Sequence, residues 1–402
     1  MKDSGIDWIG KIPDEWKIEK GKRIFAQRNE RGNKINLELL SPTQKYGVIP
    51  QTLYEELTTY SAVKLKEGTD LSQLKTVHKG DYCISLRSFQ GGFEYSKYEG
   101  VVSPAYQIFY AIKNIDECYY KYLFKDQTFI AKMNSFTMSL RDGKNIAFSD
   151  FGNTYIPLPP LSEQTKIANF LDKKCAQIDS IIEESKKSIE EYKSWKQSVI
   201  FEAVTGKNLS CKKKDSGIEW LGEIPETWKV CQIKRFVDLF NGQEIKKEIP
   251  KSEKSIDVYG SGGIFKYTEE YLYNGEAVLF GRKGSIGKPI IVKGKFWTVD
   301  TMYYSVCKKT VADNYFFYYL LKIFPWDFFA TKTALPSIVG SEVFNQFVAL
   351  PPLSEQESIA NFLDKKCSQI DSLISEKQSL IKDLAEYKKS LIFEAVTGKR
   401  RV

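Results

Sequence analysis

Residue types that commonly carry out chemistry are scarce in this chain, and those present are poorly spaced for it. The 402 residues include one histidine, His78, so a histidine-based triad or a multi-histidine metal site is excluded. His78 precedes Gly80-Asp81 and reads as a surface turn residue. Seven cysteines are scattered without a C-x-x-C pair, which suits a reduced protein better than a zinc site or a disulfide framework. Pro13-Asp14-Glu15-Trp16-Lys17 has the letters of a nuclease motif, but its acids are adjacent where a metal-binding hairpin needs them apart. The run Gly281-Arg282-Lys283-Gly284-Ser285-Ile286-Gly287-Lys288 looks like a phosphate loop until its spacing is checked against G-x-x-x-x-G-K-[ST]. No G-x-G-x-x-G follows a strand-like run, and the Asn/Asp-Pro-Pro-aromatic segment of an amino-methyltransferase is missing. A stand-alone methyltransferase or nuclease is therefore disfavoured.

What remains is the chemistry of recognition. The run 281–288 and its counterpart Arg87-Ser88-Phe89-Gln90-Gly91-Gly92 present Arg, Lys, Gln and Ser on glycine-lined loops. Such side chains read base edges and grip phosphates. The leading DNA-binding candidates are Arg87, Ser88 and Gln90, with Arg282, Lys283, Ser285 and Lys288. Lys45, Tyr46, Arg141, Lys144, Lys246 and Lys332 are secondary candidates near expected loops. A polar hairpin without a ligand would carry the same residue types. The net charge of +8 suits a polyanion partner without requiring one.

The elements that must position these loops are written twice. LPPLSEQ, IANFLDKKC and FEAVTGK recur at an offset of 192, and residues 158–207 match 350–399 at 33 of 50 positions. KDSGIDW at 2–8 returns as KDSGIEW at 214–220. Between these blocks the copies diverge but keep a frame, with Arg87 aligned to Arg282 and 116–125 to 313–322. That pattern expects shared mechanical parts carrying two different recognition surfaces. The expected organisation is a first module over 1–157, a long helix over 158–207, a second module over 208–349 and a second long helix over 350–402.

In each long block apolar residues step by four and three. The first seam is Leu171, Cys175, Ile178, Ile182, Ile189, Tyr192 and Val199; the second is Leu363, Cys367, Ile370, Ile374, Ile381, Leu384 and Leu391. This is a coiled-coil seam, weakened at Ser185, Lys196, Lys377 and Lys388. Cys175 and Cys367 act there as small apolar residues. Ser162 and Ser354 are placed to cap the helices, with a capping box at Ser354-x-x-Glu357, and Gly206 and Gly398 to end them. About 40 helical residues make a rod of roughly 60 Å. A pseudo-two-fold axis between the copies would pair the rods antiparallel. Each module alternates short Val/Ile/Tyr/Phe runs, such as 81–86, 106–112, 277–280, 289–293 and 303–307, with glycine turns, then adds an aromatic helix near 119–124 or 315–321. The fold class expected is α+β. No signal peptide or membrane-spanning run is visible, and a cytoplasmic protein is expected.

The paired LPPLSEQ…IANFLD…FEAVTGK blocks, with SGI-x-W before each module, resemble the specificity (S) subunits of Type I restriction–modification systems. The resemblance covers essentially the whole chain, although the second module is shorter, mostly between Trp228 and Gly275. It implies two target recognition domains, each reading one half of a split, asymmetric site in double-stranded DNA. It implies an antiparallel coiled coil that sets the spacer and docks two methyltransferase (M) subunits, joined by restriction (R) subunits in the full complex. The chain itself would be non-catalytic and bind no cofactor or metal; S-adenosylmethionine and ATP with Mg would belong to the partners. A coiled-coil scaffold that binds only proteins is the other reading.

Overall fold

The computed structural model describes residues 1–31, 37–58, 60, 73–84, 92–136 and 146–402. Its contacts divide into two units, Met1–Ser185 with Ser379–Val402, and Lys186–Gln378. The division cuts both long helices, Leu161–Thr205 and Leu353–Val396. Each unit therefore holds one module, the start of the helix that follows it, and the end of the other helix. These units differ from the segments drawn along the sequence because one chain segment serves two cores.

In the first unit an antiparallel sheet runs in the order Phe25–Arg28, Gln107–Ala111, Tyr82–Ile84, Glu94–Tyr95. Beneath it Phe25, Tyr82, Phe93, Phe109, Phe124 and Phe151 are fully buried, with ring centroids as close as 4.9 Å. Several of the pairs are edge-to-face, such as Phe93 with Phe151 at 5.0 Å, and pairs of that geometry add about 0.5–1.5 kcal/mol each beyond their buried area. The aromatic helix Glu117–Leu123 closes the core. Its Asp116 caps the Tyr119 amide, and Tyr119 donates its hydroxyl to the Val396 carbonyl at the end of the second long helix.

The second unit repeats the plan with a larger sheet. Its strand order is Val237–Asn241, Met302–Cys307, Tyr273–Gly281, Ile290–Thr298, Ile256–Gly260, Gly263–Thr268. Neighbours are antiparallel except Ile256–Gly260 against Ile290–Thr298. The aromatic helix Asn314–Ile323 is capped by Asp313, matching Asp116. In both units a short strand ahead of the long helix, Tyr155–Leu158 or Phe347–Leu350, pairs with Lys17–Lys20 or Lys229–Gln232.

The repeated motifs now have physical reasons. In LPPLSEQ the glutamine is the joint. Gln164 accepts from the Asp116 amide at 2.8 Å and donates to the Pro159 carbonyl at 2.8 Å. Gln356 accepts from the Asp313 amide at 3.0 Å and donates to the carbonyls of Pro351 and Val311. Both are buried, so each ties the start of a long helix to the cap of the aromatic helix. In SGI-x-W…IP-x-x-W, Ile12 and Trp16 bury against Leu391, Ala395 and Val396; Ile224 and Trp228 do so against Ile200, Ala203 and Val204. Trp16 donates to Glu163 at 2.7 Å and Asp14 pairs with the Met1 amino group, so the nuclease-like letters serve packing. In TGK, Gly206 and Gly398 have φ of 69° and 71°. A Cβ there would lie 2.5 Å from Pro225 or 2.4 Å from Pro13, so glycine is required twice over.

Two expectations need correcting. The long helices begin at Leu161 and Leu353, with the Glu163 and Glu355 amides on the Pro160 and Pro352 carbonyls. Ser162 and Ser354 thus lie inside the first turn, where neither can act as N-cap, and the capping box expected at Ser354-x-x-Glu357 has no N-cap serine to start it. The second correction concerns Lys196 and Lys388, read as weak points of the seam. In the second unit Lys196 pairs with Asp371 at 2.6 Å, and in the first Lys388 pairs with Asp179 at 2.6 Å. Each lysine lays its stem along the seam and delivers its charge to the antiparallel neighbour. The seam residues themselves are buried or half-buried throughout.

Candidate nucleic-acid interface

In the second unit three loops meet at one edge of the sheet. The first is the basic loop 281–288, which leaves Tyr273–Gly281 and returns as Ile290–Thr298. The second is the tight turn at Ser261-Gly262, between paired Gly260 and Gly263. The third, 330–339, follows the aromatic helix. It is laced to the basic loop by Gly284 N to Pro336 O at 2.9 Å and Ile338 N to Arg282 O at 3.0 Å. Arg282 and Lys283 amides both donate to Thr301 O, which fixes the base of the loop. Gly284, at φ 82°, faces the Ser261 hydroxyl, which a Cβ would meet at 3.3 Å.

The predicted residues divide by environment. Arg282 is half-buried and lays its guanidinium over the Tyr303 ring at 5.7 Å. Lys283, Lys288 and Lys332 are exposed, and among the described residues none has an ion pair. Ser285 lies on the same loop, half-buried, with its carbonyl turned to Gly281. Lys332 thus joins the basic loop through the third loop, although it lies far along the chain. Lys246 is exposed but pairs with Glu270 at 3.5 Å, so its charge is partly spent. Uncompensated cations on a pinned, glycine-lined edge suit phosphate contact and base reading.

In the first unit Arg87, Ser88, Gln90, Arg141 and Lys144 lie outside the described residues. Lys45 and Tyr46 sit at the turn between Leu40–Thr43 and Gly47–Pro50. They line a cavity of about 670 Å³ against the long helices, with Asp172, Asp179 and Lys388. The Lys45 ammonium lies over the Tyr46 ring at 4.8 Å. Contact with Tyr46, and the charges of Glu183 and Asp179, raise its pKa. His78 is held between Glu30 and Glu99, at 2.9 and 3.2 Å, beside Arg28, which grips the buried Asp81. Burial pushes the thiols of Cys175 and Cys367 up, consistent with packing and not with reactivity.

Sequence reasoning missed the Ser261 turn, the lacing of 330–339 onto the basic loop, and the two glutamine joints. Gly-Ser-Gly-Gly at 260–263 was a usable hairpin signal, and the repeated Gln of LPPLSEQ a usable packing signal.

Comparison with known proteins speaks to family and fold. A family model described as the Type I restriction modification DNA specificity domain matches residues 11–191 and 225–383. The Type I restriction enzyme MjaVIII specificity subunit of Methanocaldococcus jannaschii is 30% identical over 305 residues, covering 67% of this chain and 68% of that protein. The putative MjaX specificity subunit of the same organism is 27% identical over 265 residues, covering 61% and 59%. Among solved structures, a chain from a study of complex assembly and conformational transition of the type I R-M system superposes with a TM-score of 0.74 at 15% identity, covering 97% of this chain and 100% of that one. The HsdS subunit from Thermoanaerobacter tengcongensis gives 0.59 at 15% identity, covering 97% and 98%. At that identity the likeness is one of fold.

Proposed function

This chain belongs to the Type I restriction modification DNA specificity family, and from that premise we propose how its parts divide the work. It is a specificity subunit with two recognition domains. Each module reads one half of a bipartite, asymmetric site in double-stranded DNA. In the second module the reading edge is the laced basic loop with Arg282, Lys283, Ser285, Lys288 and Lys332. The observation that carries this is the set of cations without ion pairs among the described residues, on loops held together by backbone bonds. Arg87, Ser88 and Gln90 do the same for the first module, by alignment of Arg87 with Arg282.

The repeated helix blocks offer equivalent docking surfaces to two methyltransferase subunits, with restriction subunits joining the complex. Their length sets the unread spacer, so inserting whole heptads into both helices should lengthen the spacer and spare both half-sites. The chain is non-catalytic: S-adenosylmethionine, ATP and Mg act on the partners, and the complex works in the cytoplasm, where its DNA is. Incubating the purified chain with DNA and labelled methyl donor should give no methylation until a methyltransferase partner is added. Methylation by the chain alone would overturn the reading. Binding to the partner without any sequence-selective DNA affinity would favour a protein-only scaffold.

A further inference from the structure

We propose that Leu335 is a specificity-determining residue of the second module, and that it recognises the C5-methyl group of a thymine. The proposal rests on the DNA-reading role proposed above. Leu335 stands on the third loop with 63% of its surface exposed, and what sets it apart from the chain's other exposed apolar side chains is its place against the basic loop. The loop is built to hold it there. Thr331 N donates to Ser337 O at 3.0 Å, Ser337 N donates to the Thr331 hydroxyl at 3.0 Å, and the Thr333 hydroxyl donates to the Leu335 carbonyl at 2.9 Å. A loop closed by its own hydroxyls presents its tip at little entropic cost on binding.

The surroundings specify the ligand. A Cβ on Gly284 would lie 3.8 Å from Leu335 Cδ1, so the leucine stands against the basic loop itself. Lys283, Lys288 and Lys332 are exposed on the two loops without ion pairs among the described residues. The partner must carry negative charge around a small apolar spot. In the major groove the thymine methyl is the apolar group on a base edge, flanked by phosphates.

The test uses the chain with its methyltransferase partner, on a duplex carrying the site that the complex methylates in random DNA. Each thymine of the second module's half-site is replaced in turn by deoxyuridine, which lacks only the methyl group. One replacement should weaken wild-type binding roughly 4- to 10-fold, the size a buried methyl gives. Leu335→Ala should lose the same factor on the thymine duplex and be indifferent to that replacement. Leu335→Met should keep the discrimination. The proposal is overturned if no replacement affects the wild type. It is equally overturned if Leu335→Ala weakens thymine and uracil duplexes alike, as a side chain wedged between base steps would. A complex that does not prefer its mapped site over a scrambled duplex would instead remove the DNA-reading role and this assignment with it.

Discussion

Gln356 shows how much one side chain can organise. It is fully buried and satisfies one amide and two carbonyls at the junction of a long helix and an aromatic helix. Gln356→Ala would leave those groups buried without partners, and should cost about 2–3 kcal/mol in urea unfolding. The ion pair of Glu94 with Lys125 works differently. Burial pushes the Glu94 carboxyl up to about 7 and lowers Lys125, so desolvation outweighs their attraction on both sides. A carboxyl whose pKa is higher folded than unfolded favours the fold increasingly as pH falls from about 7 towards 4.5. Glu94→Gln should therefore flatten the gain in stability between pH 7.5 and 5.5, measured by urea unfolding at both. An unchanged slope would contradict the assignment. Neither residue was legible in the sequence: a Gln and a Glu declare their partners only once distant backbone amides and lysines have been brought to them.

At the scale of elements the sequence was far more readable. The four-three step of apolar residues, the double prolines and the terminal glycines located both long helices to within a few residues, because local geometry alone imposes those signals. The helix starts were misread because the second proline of each pair, two residues before the serine, takes the N-cap place with its own carbonyl. Lys196 and Lys388 were misread because their carboxylate partners lie 175 and 209 residues away. These pairs keep exposed aspartates, so a double-mutant cycle on Lys388 and Asp179 should give only about 0.5–1 kcal/mol of coupling. The terminal glycines matter more. Gly206→Ala forces a left-handed φ on an L residue, worth about 1–3 kcal/mol, and drives a methyl into Pro225. The melting temperature should fall for both Gly206→Ala and exposed Gly217→Ala, whose φ is equally left-handed, and fall further for Gly206→Ala because only there does the methyl meet a neighbour; equal drops would show that φ alone dominates.

For the whole molecule, duplication is the organising fact. Two modules share the glutamine joint, the aspartate-capped aromatic helix and the strand before the long helix, yet among the described residues their main sheets differ in strand number. Conserving the joints while changing the sheets lets one mechanical plan carry two readers. The repeat was plain in the sequence, since identical segments need no folding to be seen; the proposed reading edge was half visible, since Lys332 and Leu335 come to the basic loop only through backbone lacing. The most direct test is to map methylated bases in random DNA treated with the complex, using the wild-type chain and Arg282→Ala. A base-reading arginine should cost roughly 1–3 kcal/mol at its position. The account predicts a split, asymmetric site for the wild type, and for Arg282→Ala the same site with one half relaxed and the other intact. A variant whose site is unchanged, or relaxed equally in both halves, would contradict it.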